Sequence, residues 1–182
     1  IDAALKHTEQ MIKDGADIID VGGESTRPNY TKISDEEEIG RVTPVIEAIK
    51  KNFDIPVSID TYKSAVGEAA IKSGADLMND IWGFKYDEKM AEITAKYNKT
   101  CCLMHNRKEA VYNNFIEDVL ADLKESVDIA LKAGVKKENI MLDPGVGFAK
   151  SYEQNLEITN KLEMLNTLGC PVLLGTSRKS MI

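Results

Sequence analysis

Three acceptor-bearing side chains pose the first chemical question. Asp60, Asn79 and Asp143 each close a short β-rich run and stand just ahead of a turn. A carboxylate accepts two parallel donors, and an amide donates and accepts at once, so the three together can read a heterocycle edge that carries ring N–H and amino groups. Each alone has a plainer reading: Asp60 as the N-cap of the stretch that follows, Asp143 as a turn residue before Pro144. Two polar loops add complementary chemistry. Gly22-Gly23-Glu24-Ser25-Thr26-Arg27-Pro28-Asn29 brings hydroxyls and a guanidinium suited to phosphate or carboxylate. Gly175-Thr176-Ser177-Arg178-Lys179-Ser180 follows a strand and opens a helix, where unsatisfied amides and two cations favour an anion. An ordinary N-cap with solvated basic residues fits the second loop equally well.

Several other chemistries are excluded. Gly145-Val146-Gly147-Phe148-Ala149-Lys150 begins as G-x-G but places Lys150 where a dinucleotide fingerprint needs a third small residue, and the Lys179-Ser180 pair lacks the upstream glycine of a Walker loop. His7 and His105 are the only histidines, and His7 falls in a surface helix, so neither a metal cage nor a Ser/His/Asp triad can be assembled. Cys101, Cys102 and Cys170 have no C-x-x-C spacing, which argues against a disulfide framework and for a reducing cytoplasm. Trp82 reads as a packing residue, with the alternative that its ring, near Asn79, covers one edge of the site. A formal net charge of −7 with no basic run makes nucleic acid and anionic membrane poor partners. No apolar stretch reaches the ~20 residues that span a bilayer, and Ile1-Asp2-Ala3-Ala4 does not open a signal peptide.

The elements that must position these residues alternate along the whole chain. Six candidate strands run 17–21, 56–60, 76–79, 100–104, 139–143 and 171–174. Between them, Phe115 to Ala133 places Phe115, Val119, Leu120, Leu123, Val127, Ala130 and Leu131 at helical spacing, with Gly134 as the stop. Capping boxes at Ser34-Asp35-Glu36-Glu37 and Ser151-Tyr152-Glu153-Gln154 open two further helices, and Pro44 predicts a kink near Thr43. Gly15-Ala16-Asp17 and Gly74-Ala75-Asp76 form a weak repeat, each a helix stop followed at once by a strand. Strand–helix alternation with short joints means parallel strands and the α/β class.

A polar residue closes strand after strand, as expected of a (β/α)8 TIM barrel, whose strand ends form one mouth. Parity agrees, since Ser58 and Asp60 would face the axis while Val57 and Ile59 face the helices. An open doubly wound sheet would gather its polar groups at one switch point instead. A barrel of eight strands takes about 250 residues. Six strands in 182 residues therefore predict an incomplete portion covering about strands 2 to 7. The unpaired edges of such a portion would make it loosely packed and prone to aggregate by itself.

The six strand-end motifs resemble one family. Gly22 to Pro28 (GGESTRP), Ser58 to Ser64 (SIDTYKS), Asn79 to Gly83 (NDIWG), Met104 to Arg107 (MHNR), Leu142 to Lys150 (LDPGVGFAK) and Leu174 to Ser180 (LGTSRKS) are similar in order and spacing to dihydropteroate synthase. The resemblance implies a single pterin-binding barrel domain over 1–182, truncated at both ends. It implies condensation of 6-hydroxymethyl-7,8-dihydropterin diphosphate with 4-aminobenzoate, sulfonamides as competitors, Mg2+ as cofactor and a homodimer. Asp143 would take the pterin 2-amino and N3–H edge, Asp60 and Asn79 the other ring atoms, Lys179 the carbonyl side and Met104 the ring face. Thr26 and Arg27 would come from a loop over the diphosphate and aminobenzoate, with Phe148 and Ser180 on the aminobenzoate side. Lys179, Arg27 and Asp60 would be the catalytic residues. The family's Asn-Val-Thr-Pro-Asp-Ser-Phe segment, with its Mg2+ ligand, would precede Ile1, and its Arg-x-His would follow Ile182. Two alternatives share the pocket type: a corrinoid-linked methyltetrahydrofolate methyltransferase, and a pterin-binding module without catalysis. The hydroxyl-rich, cationic loops favour a diphosphate substrate over the first.

Overall fold

The computed structural model describes residues 1–25, 31–177 and 179, in two compact units, Ile1–Asn79 and Asp80–Ile182. Helices and strands alternate through both, which is the expected α/β order.

In the first unit, α1 (Asp2–Lys13) leads through the left-handed Gly15 into β1 (Ile19–Gly22). Helix α2 (Asp35–Asn52) then precedes β2 (Val57–Asp60), and α3 (Ser64–Lys72) leads through Gly74, φ 111°, into β3 (Leu77–Asp80). The three strands pair in parallel, Gly22 opposite Asp60 and Asp60 opposite Asn79. Val57, Ser58 and Ile59 are all buried, as expected of a parallel strand covered on both faces. Apolar residues of α2 supply the cover: Val42, Ile46 and Ile49 recur at helical spacing and are buried.

Helix α2 departs from the sequence reading at its start. Ser34 Oγ accepts from the Glu37 amide at 3.2 Å, but the Glu37 carboxylate turns away to Arg41 Nη2 at 2.5 Å, so the box is only half formed. An ion pair four residues on competes with the backward reach to the cap. The helix runs through Pro44 to Asn52, and Thr43 Oγ1 donates to the Ile39 carbonyl at 2.9 Å.

In the second unit, α4 (Lys89–Lys96) precedes β4 (Thr100–Met104), and α5 (Phe115–Ala133) ends at Gly134 with φ 97°. The buried stripe of α5 is Ile116, Val119, Leu123, Ser126, Val127 and Ala130, rotated from the expected one, so that Leu131 is left exposed. Strand β5 (Ile140–Asp143) pairs with β4 in parallel, Met104 opposite Asp143. Helix α6 (Tyr152–Asn160) opens with a complete capping box of Ser151 and Gln154.

The sixth expected strand, 171–174, is reduced to one bridge between Leu142 and Val172. Two ladder bonds form, Leu142 N–H to the Pro171 carbonyl and Leu173 N–H to the Leu142 carbonyl. The rungs on either side would need an N–H from residue 171 or 144. Both are proline, so the ladder cannot extend.

Candidate active site

Each unit presents a group of polar side chains at its strand ends. In the first, Asp20, Asp60 and Asn79 close β1, β2 and β3 or stand within two residues of the end. Asn79 Nδ2 donates to Asp20 Oδ2 at 3.1 Å. Gly22 lies beside Asp60, where an added Cβ would stand 3.6 Å from Oδ2. Asp20 was not among the expected site residues; it stands two residues short of the level of Asn79, opposite Ser58 and through it Leu77, and shares the side-chain parity of Asn79, which is the signal that finds it.

Just beyond these ends sits a buried ionic cluster that the sequence reading missed. Lys63 Nζ lies 2.9 Å from Glu24 Oε2 and 2.8 Å from Glu38 Oε2, with side-chain exposures of 11%, 3% and 2%. Tyr62 Oη donates to Glu24 Oε1, and Thr61 Oγ1 donates to Glu38 Oε1 at 3.0 Å. Ile33 is gripped twice, its N–H by Glu24 at 2.8 Å and its carbonyl by Lys63 at 2.8 Å. Burial opposes the charges, yet the hydrogen bonds outweigh it: Glu24 is held below the usual carboxylate range and Lys63 above the usual amine range. Thr26 and Arg27, between Glu24 and Ile33 in the sequence, lie outside the described residues.

In the second unit the centre is Asp143. It is 8% exposed at the end of β5, and Oδ1 accepts the Gly145 amide at 2.7 Å. Burial pushes its carboxyl pKa up, while the Gly145 N–H and the charges of Lys179 and Lys150 pull it back part of the way. Oδ2 lies against Gly175, where a Cβ would come within 3.3 Å. Met104 is its register partner and is buried. The Lys179 ammonium stands 4.2 Å from the Phe148 ring centroid, a cation–π contact that brings two expected site residues together. Ser180 lies outside the described residues.

Behind Asp143 runs a second, partly buried chain. His105 donates its backbone N–H to the Asp143 carbonyl at 2.9 Å. Its ring stands 3.0 Å from Asp122 Oδ2 through Nε2 and 2.9 Å from Lys150 Nζ through Nδ1. Burial, reinforced by the Lys150 charge, lowers the imidazole pKa to about 3, so the ring is neutral: Nε2–H donates to Asp122 and Nδ1 accepts from Lys150. Arg107 Nε donates to the same Asp122 oxygen at 2.6 Å and its guanidinium covers the Tyr112 ring at 4.4 Å. Gly145 has φ 69°, and a Cβ there would collide with the His105 carbonyl.

Asp80, by contrast, is structural. It is fully buried and accepts the Trp82 and Phe84 amides at 2.8 and 3.0 Å, and burial lifts its pKa to about 6. Cys101 is no nucleophile, since burial pushes its thiol up to about 12.

The family model described as pterin binding enzyme matches residues 1–182. A dihydropteroate synthase of Clostridium beijerinckii is 66% identical over the whole chain, which spans 68% of that relative. Among solved structures, the dihydropteroate synthase from Clostridium difficile in the presence of pteroic acid has a TM-score of 0.97 at 49% identity, covering 99% of this chain and 69% of that one. The Xanthomonas albilineans dihydropteroate synthase with 4-aminobenzoic acid has a TM-score of 0.95 at 38% identity, covering 99% and 66%. The chain thus spans about two thirds of the length of its likenesses, and its fold is the corresponding portion of their (β/α)8 barrel. Matched from its first residue to its last, the chain belongs to the pterin-binding enzymes and, within them, to the dihydropteroate synthases.

Proposed function

We propose that this chain carries the pterin and aminobenzoate chemistry of dihydropteroate synthesis, with 6-hydroxymethyl-7,8-dihydropterin diphosphate and 4-aminobenzoate as substrates. The observation that carries the reading is Asp143: a buried carboxylate anchored through one oxygen by Gly145, with the other against a glycine that leaves room for a ligand. Such a group demands donors, and the 2-amino and N3–H edge of a pterin supplies two in parallel. Asp60 and Asn79 take the remaining ring atoms and Met104 the ring face. Lys179 serves the pterin carbonyl side, next to Phe148; Phe148 serves the aminobenzoate, a role the resemblance also gives to Ser180. Thr26 and Arg27 cover the diphosphate.

In the reaction the bond from the pterin methylene carbon to the diphosphate oxygen breaks and the oxygen keeps the pair. The amine nitrogen of 4-aminobenzoate then forms the new C–N bond and loses a proton to solvent. Positive charge on the methylene is shared by the electron-rich ring, and cationic side chains stabilise the leaving anion. Mg2+ binds through one or two carboxylates plus substrate phosphates. When bound, the ion would help neutralise the departing diphosphate; no step and no residue of this chain is assigned to it, and among the described residues no group of three or more His, Cys, Asp or Glu side chains is placed to hold a metal.

Sulfonamides, which mimic the benzoate, are the expected competitors; a Yersinia pestis dihydropteroate synthase, 37% identical, has been solved as a sulfonamide drug complex. A cytoplasmic homodimer completes the proposal. Supporting it are three cysteines outside any disulfide and the exposed Tyr152 and Leu156, one turn apart on α6; no helix among the described residues is long and apolar enough to cross a membrane. The test is diphosphate release by the full-length protein from the pterin substrate. Release that depends on 4-aminobenzoate is expected. Pterin binding without release would contradict the reading and leave a binding module.

A further inference from the structure

The turn after β5 holds unusual backbone. Gly145, Gly147 and Ala149 all have positive φ, at 69°, 83° and 43°, and Ala149 is not a glycine. Such backbone persists only where its surroundings over-determine it. Two side chains do so here. Asn155 accepts the Gly147 amide at 2.7 Å and donates to the Ser151 carbonyl at 2.8 Å. Lys150 Nζ reaches the Gly145 carbonyl at 3.0 Å, the Phe148 carbonyl at 3.0 Å and His105 Nδ1 at 2.9 Å. An ammonium has three donors, and here it meets three acceptors. The Arg107–Asp122 pair fixes the His105 tautomer that makes the third acceptor available. The charged groups facing Lys150 are Asp143 on β5, Asp122 on α5, Arg107 and Lys179; those facing Asp143 are Lys179 and Lys150.

We propose that Lys150 is a positioning residue of the pterin site: strung between His105 and the two turn carbonyls, its ammonium shapes the 144–149 turn that presents Phe148 and lends its charge to the Asp143 carboxylate. This rests on the reading of Asp143 as the pterin carboxylate. The consequence is a coupling between the turn and the ligand. Removing the charge weakens the ionised form of Asp143, so Asp143 takes up its proton at a higher pH and the donor edge of the pterin loses its acceptor sooner as pH falls. Burial already raises the carboxyl pKa, and the neighbouring cations are what oppose it.

The experiment is a titration of 6-hydroxymethylpterin into full-length wild type, Lys150→Met and Lys150→Arg across the acid range. In Lys150→Met the midpoint at which binding is lost on acidification moves up by about one pH unit. Lys150→Arg keeps the charge and restores the wild-type midpoint even where its affinity is reduced. A residue with only a structural role would weaken binding by one factor at every pH. A wild-type midpoint in Lys150→Met overturns the proposal. Failure of the wild type to bind the pterin overturns the reading of Asp143 itself, and the assignment with it. Should Lys150→Met fail to fold by circular dichroism, Lys150→Gln, which keeps an amide donor and removes the charge, reads the same midpoint.

Discussion

Two lysines in this chain are largely withdrawn from water, and their amino groups move in opposite directions. Lys63 sits between the carboxylates of Glu24 and Glu38 and is raised above the usual amine range. Lys150 sits among an imidazole nitrogen and two carbonyls and is lowered to about 7, because burial dominates and the nearby carboxylates only partly offset it. Burial penalises the ammonium in both places. What differs is whether its nearest acceptors carry full negative charge or only dipoles, and that difference decides the direction. One site is an ionic staple that ties Glu24 and Ile33 to Glu38; the other is a cradle that shapes a turn.

The comparison breaks most visibly at Lys63. Lys63→Met leaves Glu24 and Glu38 buried without their counter-charge, and breaking such a pair costs about 3 to 5 kcal/mol. Lys150→Met strands only neutral acceptors, at roughly 1 to 3 kcal/mol. Denaturant unfolding of the two full-length variants should rank them in that order. The reverse order would show that the Glu24–Lys63–Glu38 cluster is not the tighter one.

A smaller effect sharpens the same contrast through pH. For Lys150, whose folded pKa of about 7 lies below the ordinary amine value of 10.5, the unfolded chain binds more protons between those values, so its contribution to stability rises with pH across that window. For Lys63, whose folded pKa is raised, the contribution is present below 10.5 and is lost as pH climbs through the folded value. The stability gap between wild type and Lys150→Met should therefore shift in favour of wild type from neutral to alkaline pH. Over the same range the gap to Lys63→Met should hold level. Parallel behaviour of the two variants would contradict the assigned partners.

Neither lysine stood out in the sequence, for a physical reason. The partners of Lys63 lie 39 and 25 positions upstream, and His105 lies 45 positions before Lys150, so no local spacing joins them. Lys150 enters the sequence reading as the residue that spoils a dinucleotide fingerprint and as the end of the Leu142 to Lys150 motif, and His105 as one of two histidines and a member of the Met104 to Arg107 motif, but neither carries a role of its own there. What was legible depended on local rules: the strand ends at Asp60, Asn79 and Asp143, the stop at Gly134 and the full capping box at Ser151. The failures came where a tertiary or competing partner intervened. Glu37 preferred Arg41 to its own cap, the stripe of α5 turned to bury Ile116 and Ser126, and prolines at 144 and 171 stopped the last ladder.

Everything proposed for the site converges on the Asp143 carboxylate, so the decisive measurement is the affinity of 6-hydroxymethylpterin for full-length wild type and Asp143→Asn at neutral pH. The amide turns a donor toward a ligand N–H and leaves buried groups unpaired, at roughly 1 to 3 kcal/mol for each. The account predicts a loss of about tenfold or more in a variant that remains folded. An unchanged affinity would remove Asp143 from the pocket and contradict the account at its centre.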